Sequence, residues 1–389
     1  MNYYITNDHR KCMGITPVDD KCDILIFKED KTGEEYHLFF DGDDIKKVVL
    51  FTDNEYELRY RESDVNYKTA ENRTVVLPKT NRGKVKKLNI SAIHSMNGIG
   101  TYFSYSYSKN NNKASISIGN YDIQRTFFCD RNVNNCDSFE KLLAWCDGFV
   151  KDSTDEDVFD AQQFSKQKRQ HIKYKEGDYF RVKIGRHKYT YGRILADIYS
   201  RIKQGVPYWN VFMGRTLIVE AFHILTDRKD MSVSELQNLP TFPSIFMMDN
   251  AIYYGDYEII GNGELPSKPK YPIMYGRSIS YIDKNKIIFQ CGDIHEELPY
   301  SEDALVVPYT MNDNSIHWEK SFINNGSSWS IKTNREVIER CIKEKSNSYY
   351  WKYYRFAAHN DLRSPQNAEK LQEVLRQVNH MDLLSIYRE

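Results

Sequence analysis

The segment EGDYFRVKIGRHKYTYGRIL, Glu176 to Leu195, decides how the second half of the chain folds. A phosphate-binding P-loop places four residues between two glycines and continues with lysine and then serine or threonine. Here six residues separate Gly185 from Gly192, and an arginine follows the second glycine. Apolar and polar side chains alternate over residues 179–184, which is the two-residue period of a β-strand. The segment therefore predicts a β-hairpin and not a phosphate loop.

Similar alternation recurs along most of the chain, between turns rich in glycine, aspartate and asparagine. In GTYFSYSYSK the aromatic side chains at 103, 105 and 107 share one face of a strand. Helical spacing of apolar residues appears at about Asp137–Val150 and again over Leu371–Leu384. These patterns predict an α+β protein with two β-rich domains, antiparallel and partly barrel-like sheets, a few helices and a C-terminal helix.

The domain boundary is predicted from composition. At 389 residues the chain is long for a single hydrophobic core. Residues 151–173 begin acidic, become basic and contain few apolar side chains, which is typical of a linker or a solvated helix. We expect a β-rich N-terminal domain of unknown role at 1–150, this linker at 151–173, and a second β-rich domain with the C-terminal helix at 174–389.

Composition narrows the class of protein. Lysine plus arginine and aspartate plus glutamate each number 54, so the formal net charge is zero, and only Lys79–Lys87 forms a compact basic run. This balance disfavours nucleic acid as a partner, although that run leaves a nucleic-acid adaptor as an alternative. No apolar stretch approaches the roughly 20 residues of a membrane helix. Seven scattered cysteines and the absence of a secretory pattern indicate a cytoplasmic protein.

Catalytic and metal-binding patterns are weak. Asp19, Asp20, Glu29 and Lys31 offer the residue types of a metal-dependent nuclease, in which carboxylates hold Mg²⁺ and a lysine assists. Their short separation and the following turn favour exposed turn charges instead. The cysteine and histidine spacings do not fit a structural zinc site, and no serine-hydrolase elbow occurs. We therefore expect no catalytic residue, no cofactor and no metal, with a nuclease kept as an alternative.

Aromatic residues are the most distinctive feature, with 29 tyrosines and 19 phenylalanines. Tyrosine, tryptophan and arginine dominate the energetics of protein interfaces, and they also pack well on sheet faces. Several stand near predicted strand ends and turns. The candidates for partner binding are Tyr189, Tyr191, Arg193, Trp209 and Tyr253.

The second half also resembles a known family. YKEGDYFRVKIGRHKYTYGRIL is similar to the opening of the immunity protein 26 family, and YGDYEIIGNGELPSKPKYP resembles a later strand of that family, with Tyr257 in place of its usual tryptophan. The resemblance covers roughly Tyr174–Ser301. It implies a non-catalytic immunity protein of a bacterial polymorphic toxin system, which binds a cognate protein toxin and blocks it.

Overall fold

The computed structural model describes residues 4–78, 83–184, 186–208, 215–277, 286–299, 335–352 and 361–387. The chain divides into two compact units, Met1–Gln170 and His171–Glu389. A helix from the predicted linker, Asp155–Lys166, lies in the first unit, where it buries Ala161 and Phe164. The domain bounds 1–150 and 174–389, with a linker at 151–173, stay a prediction. In the described part of the chain, no helix combines the length and the apolar character that crossing a membrane requires.

The first unit is built on one antiparallel sheet with the strand order β1-β2-β3-β4-β7-β8-β9, and the short strands β5 and β6 branch from β4. Its strands are β1 (Asp23–Glu29), β2 (Glu34–Asp41), β3 (Asp44–Asp53), β4 (Glu57–Ala70), β5 (Val75–Leu77), β6 (Lys86–Lys87), β7 (Ile99–Ser108), β8 (Lys113–Asn120) and β9 (Arg125–Val133). Its helices are α1 (Asn7–Met13), α2 (Ile90–His94), α3 (Phe139–Lys151) and α4 (Asp155–Lys166).

Alternation along the strands builds a core on each face of this sheet. Phe103 and Tyr105 of β7 are fully buried against α3, as the predicted aromatic face requires. Ser138 caps α3 by accepting a hydrogen bond from the Lys141 amide, so the helix begins where its sequence pattern places it. The opposite face packs Tyr36, Leu38 and neighbouring side chains beneath α2.

The second unit contains a five-stranded antiparallel sheet in the order β13-β12-β11-β10-β14 and a three-stranded antiparallel sheet in the order β15-β16-β17. Its strands are β10 (Asp178–Ile184), β11 (Lys188–Asp197), β12 (Thr216–Ala221), β13 (Ile245–Met248), β14 (Glu258–Asn262), β15 (Ile273–Arg277), β16 (Lys286–Cys291) and β17 (Ile294–Pro299). Its helices are α5 (Ile198–Lys203), α6 (Val233–Leu236), α7 (Asn250–Tyr253), α8 (Arg335–Glu344), α9 (Ser348–Lys352), α10 (Ala368–Gln377) and α11 (Leu384–Tyr387).

These elements confirm the α+β class and the antiparallel sheets. The sheets stay open, so the barrel-like closure expected for part of the fold is not found in the described residues. Strands β10 and β11 form the predicted hairpin, although Gly185 at its turn lies outside the described residues. The C-terminal helix is also confirmed, since α10 buries its predicted stripe against the three-stranded sheet. The stripe is not one continuous helix, because Asn379 takes a left-handed backbone conformation after α10.

Two glycines of the opening hairpin are required by the backbone. Gly177 has φ = +82°, and a Cβ there would lie 2.5 Å from the carbonyl oxygen of Gly263. Gly192 lies in β11, where a Cβ would lie 2.5 Å from the Phe180 ring and 2.6 Å from the Glu220 carbonyl oxygen. Gly177 therefore permits a turn, and Gly192 permits the close packing of Phe180 and Glu220.

The Gly192→Ala variant is expected to lower the free energy of unfolding of the second unit by about 1–3 kcal/mol, because the added methyl group overpacks a closed core. Hydrogen exchange of β10–β12 peptides measures this loss directly. Gly148→Ala is the control, since a Cβ at Gly148 in α3 meets no atom within 4 Å. That control is expected to leave stability unchanged or slightly higher. Equal protection in Gly192→Ala and the unmodified protein would contradict the packing argument.

Candidate functional site

Three of the predicted contact residues are buried in the core of the second unit. Tyr191 is fully buried, and Tyr189 and Arg193 are each 6 % exposed. They belong to a cluster on one face of the five-stranded sheet, and the segment 223–239 with α6 packs against it. In this conformation their side chains have little surface for a partner to contact. Their assignment as partner contacts stays a prediction.

Arg193 is held by a buried ion pair. Its Nε lies 2.9 Å from Glu220 Oε1, and its Nη1 donates to the Tyr179 hydroxyl at 3.0 Å. The residues sit side by side on adjacent strands, since Tyr179 and Glu220 are the register partners of Arg193. The guanidinium also lies 5.6 Å from the Phe222 ring centroid. This arrangement satisfies a charge inside an aromatic core and ties β10, β11 and β12 together.

Tyr253 is the predicted contact residue that the structure leaves partly exposed. Its ring stacks on His171 at 4.8 Å between centroids, and Tyr254 packs edge-on against it at 5.1 Å. The Ile172 amide donates to the Tyr253 carbonyl oxygen at 2.8 Å, which fixes this segment beside α7. Trp209, the remaining candidate, lies outside the described residues.

A second group of aromatic and cationic side chains consists of residues in α5 and of Arg215, which directly precedes β12. Lys203 Nζ lies 4.4 Å from the centroid of the Tyr199 ring, and the Arg215 guanidinium carbon lies 4.9 Å from the same centroid. The hydrogen bond from Lys203, followed by its charge, lowers the pKa of Tyr199. Tyr199 therefore presents a ring whose face and hydroxyl are both held by cations.

Tyr174 and Asp249 connect the two groups. The Tyr174 hydroxyl donates to Asp249 Oδ2 at 2.8 Å, and Asp249 directly precedes α7, which carries Tyr253. Burial raises the pKa of Tyr174, and the hydrogen bond to Asp249 raises it further. Arg215 interacts with Tyr174 as well as with Tyr199, and both raise its pKa. We call His171, Tyr174, Tyr199, Lys203, Arg215, Tyr253 and Tyr254 the aromatic–cationic surface.

Sequence reasoning found one member of this surface. Sequence reasoning found Tyr253 because it is one of two adjacent tyrosines that follow a predicted strand. In the chain, Tyr199 follows His171 by 28 positions, and Arg215 follows Tyr199 by 16 positions. The packing of α5, β12 and α7 brings these aromatic and cationic residues together. The sequence therefore indicated this surface only through its general abundance of tyrosine.

The residues of the nuclease alternative do not form one cluster in the first unit. Asp19 lines a cavity of about 370 Å³ together with Lys21, Asp41 and Lys47. Glu29 instead lies near Glu34 and His94. This arrangement separates the carboxylates that the nuclease hypothesis groups around one Mg²⁺.

A buried charge network adjoins that cavity, whose lining includes Lys47 and Asp64. Glu62 is fully buried and accepts hydrogen bonds from Arg10 Nε at 2.7 Å and from the Tyr60 hydroxyl at 2.7 Å. Lys47 Nζ lies 2.9 Å from Glu62 Oε1 and 2.7 Å from Asp64 Oδ1. Burial raises the pKa of Glu62, but Lys47 and Arg10 outweigh it and hold that pKa below its usual range.

The basic run of the nucleic-acid alternative is only partly described. Residues 79–82 lie outside the described residues, and Lys84, Lys86 and Lys87 are exposed at and before the short strand β6. The described part places three lysines on the surface of the first unit.

The second unit is thus an antiparallel β-rich module that carries a partly exposed aromatic and cationic surface. Residues 175–287 match the family model of Immunity protein 26. The matched region includes the hairpin β10–β11 and most members of the aromatic–cationic surface. This finding confirms the resemblance drawn from the sequence and indicates an immunity role. No significant match was found among curated proteins or among solved structures.

Proposed function

We propose that the chain is a non-catalytic bacterial immunity protein of a polymorphic toxin system, which acts in the cytoplasm by binding a cognate protein toxin and occluding its active site. The match of residues 175–287 to Immunity protein 26 is the observation that carries this proposal. Immunity by occlusion requires a tight complex and no turnover by the immunity protein. The aromatic–cationic surface supplies the tyrosine and arginine side chains on which such affinity depends.

We further propose that this surface is the toxin-binding face of the second unit. Tyr253 and Arg215 are its centre, since Tyr253 stacks on His171 and Arg215 lies against Tyr199. A tyrosine ring held by stacking loses little conformational entropy on binding, because its position is already fixed. Arginine adds planar donors that pair with carboxylates on a partner. The toxin chemistry that fits best is an acidic face with apolar recesses.

The experiment is co-expression with the toxin encoded beside this chain, followed by size-exclusion chromatography of the complex. Cells are expected to survive, and the two proteins are expected to elute together at a one-to-one ratio. A toxin that stays lethal and forms no complex would refute the immunity role.

Replacing Tyr253 or Arg215 by alanine is expected to weaken toxin binding by at least about tenfold, because truncating an interface hot spot costs more than about 1.4 kcal/mol. Isothermal titration calorimetry measures the change. Tyr349→Ala is the matched control, since Tyr349 also packs on an arginine, with the Arg340 guanidinium carbon 4.0 Å from its ring centroid. If that control weakens binding as much as Tyr253→Ala does, the toxin-binding face lies elsewhere.

A further inference from the structure

The junction between the β1–β2 hairpin and α2 collects three metal-ligating side chains. Glu29 ends β1, Glu34 begins β2, and His94 ends α2. One ligand atom from each lies within 4.8 Å of the other two. Oxygen donors from two carboxylates and a nitrogen donor from an imidazole form a mixed set that suits first-row divalent metals.

The two carboxylates face each other across the hairpin. Glu29 and Glu34 are register partners across the antiparallel pair, on either side of the turn 30–33. Like charges directly opposite on neighbouring strands destabilise a sheet. The Glu29 carboxylate accepts a hydrogen bond from the Thr32 hydroxyl at 3.1 Å, which is a neutral donor. The hairpin therefore concentrates negative charge at its turn, and a bound cation would neutralise it.

Lys28, next to Glu29 in β1, and Arg59 of β4 have other carboxylate partners. Lys28 Nζ pairs with Glu35 Oε2 at 2.7 Å, and Arg59 pairs with Glu57 Oε1 at 2.8 Å. These contacts thus assign neither Lys28 nor Arg59 to the two glutamates.

Tyr36 lies against two of these ligands and orients them. It is 6 % exposed, and its hydroxyl contacts both Glu34 Oε2 at 2.7 Å and His94 Nε2 at 2.5 Å. The His94 ring packs on the Tyr36 ring at 5.2 Å between centroids, which holds the imidazole over the carboxylates.

From this geometry we infer that Glu29, Glu34 and His94 bind one divalent transition-metal cation, for which Zn²⁺ serves as the test ion. The bound cation would link α2 to the β1–β2 hairpin. Ligand atoms at about 2.0–2.2 Å from one zinc ion lie no more than about 4.4 Å apart, so small rotations of these side chains close the site. The His94 and Glu34 side chains are 48 % and 18 % exposed, so an ion from solvent reaches them. This site lies in the first unit and does not depend on the proposed immunity role.

Zinc titration of the full-length protein by calorimetry tests the inference, with thermal unfolding as a second readout. The unmodified protein is expected to bind one equivalent more than His94→Gln and Glu34→Gln bind, and Zn²⁺ is expected to raise its melting temperature. Mg²⁺ is not expected to compete, because imidazole is a poor ligand for a hard cation. Comparison of the proteins in EDTA shows whether each variant folds.

His380→Gln is the matched control, since His380 also contacts a glutamate, with its Nε2 3.0 Å from Glu296 Oε1. It is expected to retain the full zinc stoichiometry. Zinc binding that is identical in the unmodified protein, His94→Gln and Glu34→Gln would overturn the inference, because cysteines such as the exposed Cys129 would then account for all of it. Loss of the equivalent in His380→Gln alone would also overturn it.

Discussion

Replacing Glu220 by glutamine is expected to lower the free energy of unfolding of the second unit by about 3–5 kcal/mol. The variant leaves the Arg193 guanidinium buried among Tyr179 and Phe222 without its counter-charge. Removing one partner of a buried ion pair costs this much because the remaining charge has lost its hydration and gains no substitute. Hydrogen exchange in β10–β12 measures the loss.

Glu258→Gln is the control for this experiment. Glu258 pairs with Arg181 on the same sheet, but its side chain is 64 % exposed, so the pair is screened by solvent. That variant is expected to change stability by no more than about 1 kcal/mol. The double variant Arg193→Met with Glu220→Leu removes both charges and is expected to recover most of the lost stability. Failure of the double variant to recover would mean that the hydrogen bond to Tyr179, and not the charge, dominates.

The same experiment separates a structural role of Arg193 from the predicted contact role. A structural role requires stability and toxin binding to fall together in Glu220→Gln and to recover together in the double variant. A direct contact by Arg193 requires toxin binding to stay weak in the double variant, even where stability is regained. Measuring both quantities on the same proteins therefore decides between the two roles.

Replacing Glu62 by glutamine is expected to lower the free energy of unfolding of the first unit by about 3–5 kcal/mol. Glu62 is fully buried, pairs with Arg10 and Lys47, and accepts a hydrogen bond from the Tyr60 hydroxyl. The amide cannot neutralise Arg10, whose side chain is only 5 % exposed. Asp64 remains beside Lys47, so the larger part of the cost falls on the arginine. Hydrogen exchange of peptides from β3 and β4 reports the change.

The pH dependence follows from the lowered pKa of Glu62. A carboxyl whose pKa is lower in the folded state adds stability above its unfolded pKa of about 4.3, and this contribution is lost as the pH falls toward the folded pKa. The first unit is therefore expected to lose stability on acidification below about pH 4, and Glu62→Gln is expected to lose less of it. Glu57→Gln is the control, because Glu57 and Arg59 form a partly exposed pair on the same strand. An acid-induced loss of equal size in Glu62→Gln and the unmodified protein would assign it to other carboxyls.

Local patterns predicted the elements well where one face of an element is buried. Alternation over β7 gave its buried aromatic face, and helical spacing with Ser138 gave the start of α3. The contact candidates were less accessible to this kind of reasoning. Tyr189 and Tyr191 resemble exposed contact residues in the sequence, because tyrosine suits both a sheet face and an interface. Strand alternation separates two faces, but it does not state which one the rest of the chain covers.

The hairpin Glu176–Leu195 shows the division most clearly. The sequence by itself determined that these residues pair as antiparallel strands, that the glycine spacing does not suit a phosphate, and that the region resembles Immunity protein 26, since these depend on local period and on short motifs. The tertiary structure alone decided that Arg193 is buried beside Glu220. It also decided that Tyr174 links Arg215 to Asp249, the residue before α7, which carries Tyr253. Those outcomes depend on contacts between residues far apart in the chain, which no local pattern encodes.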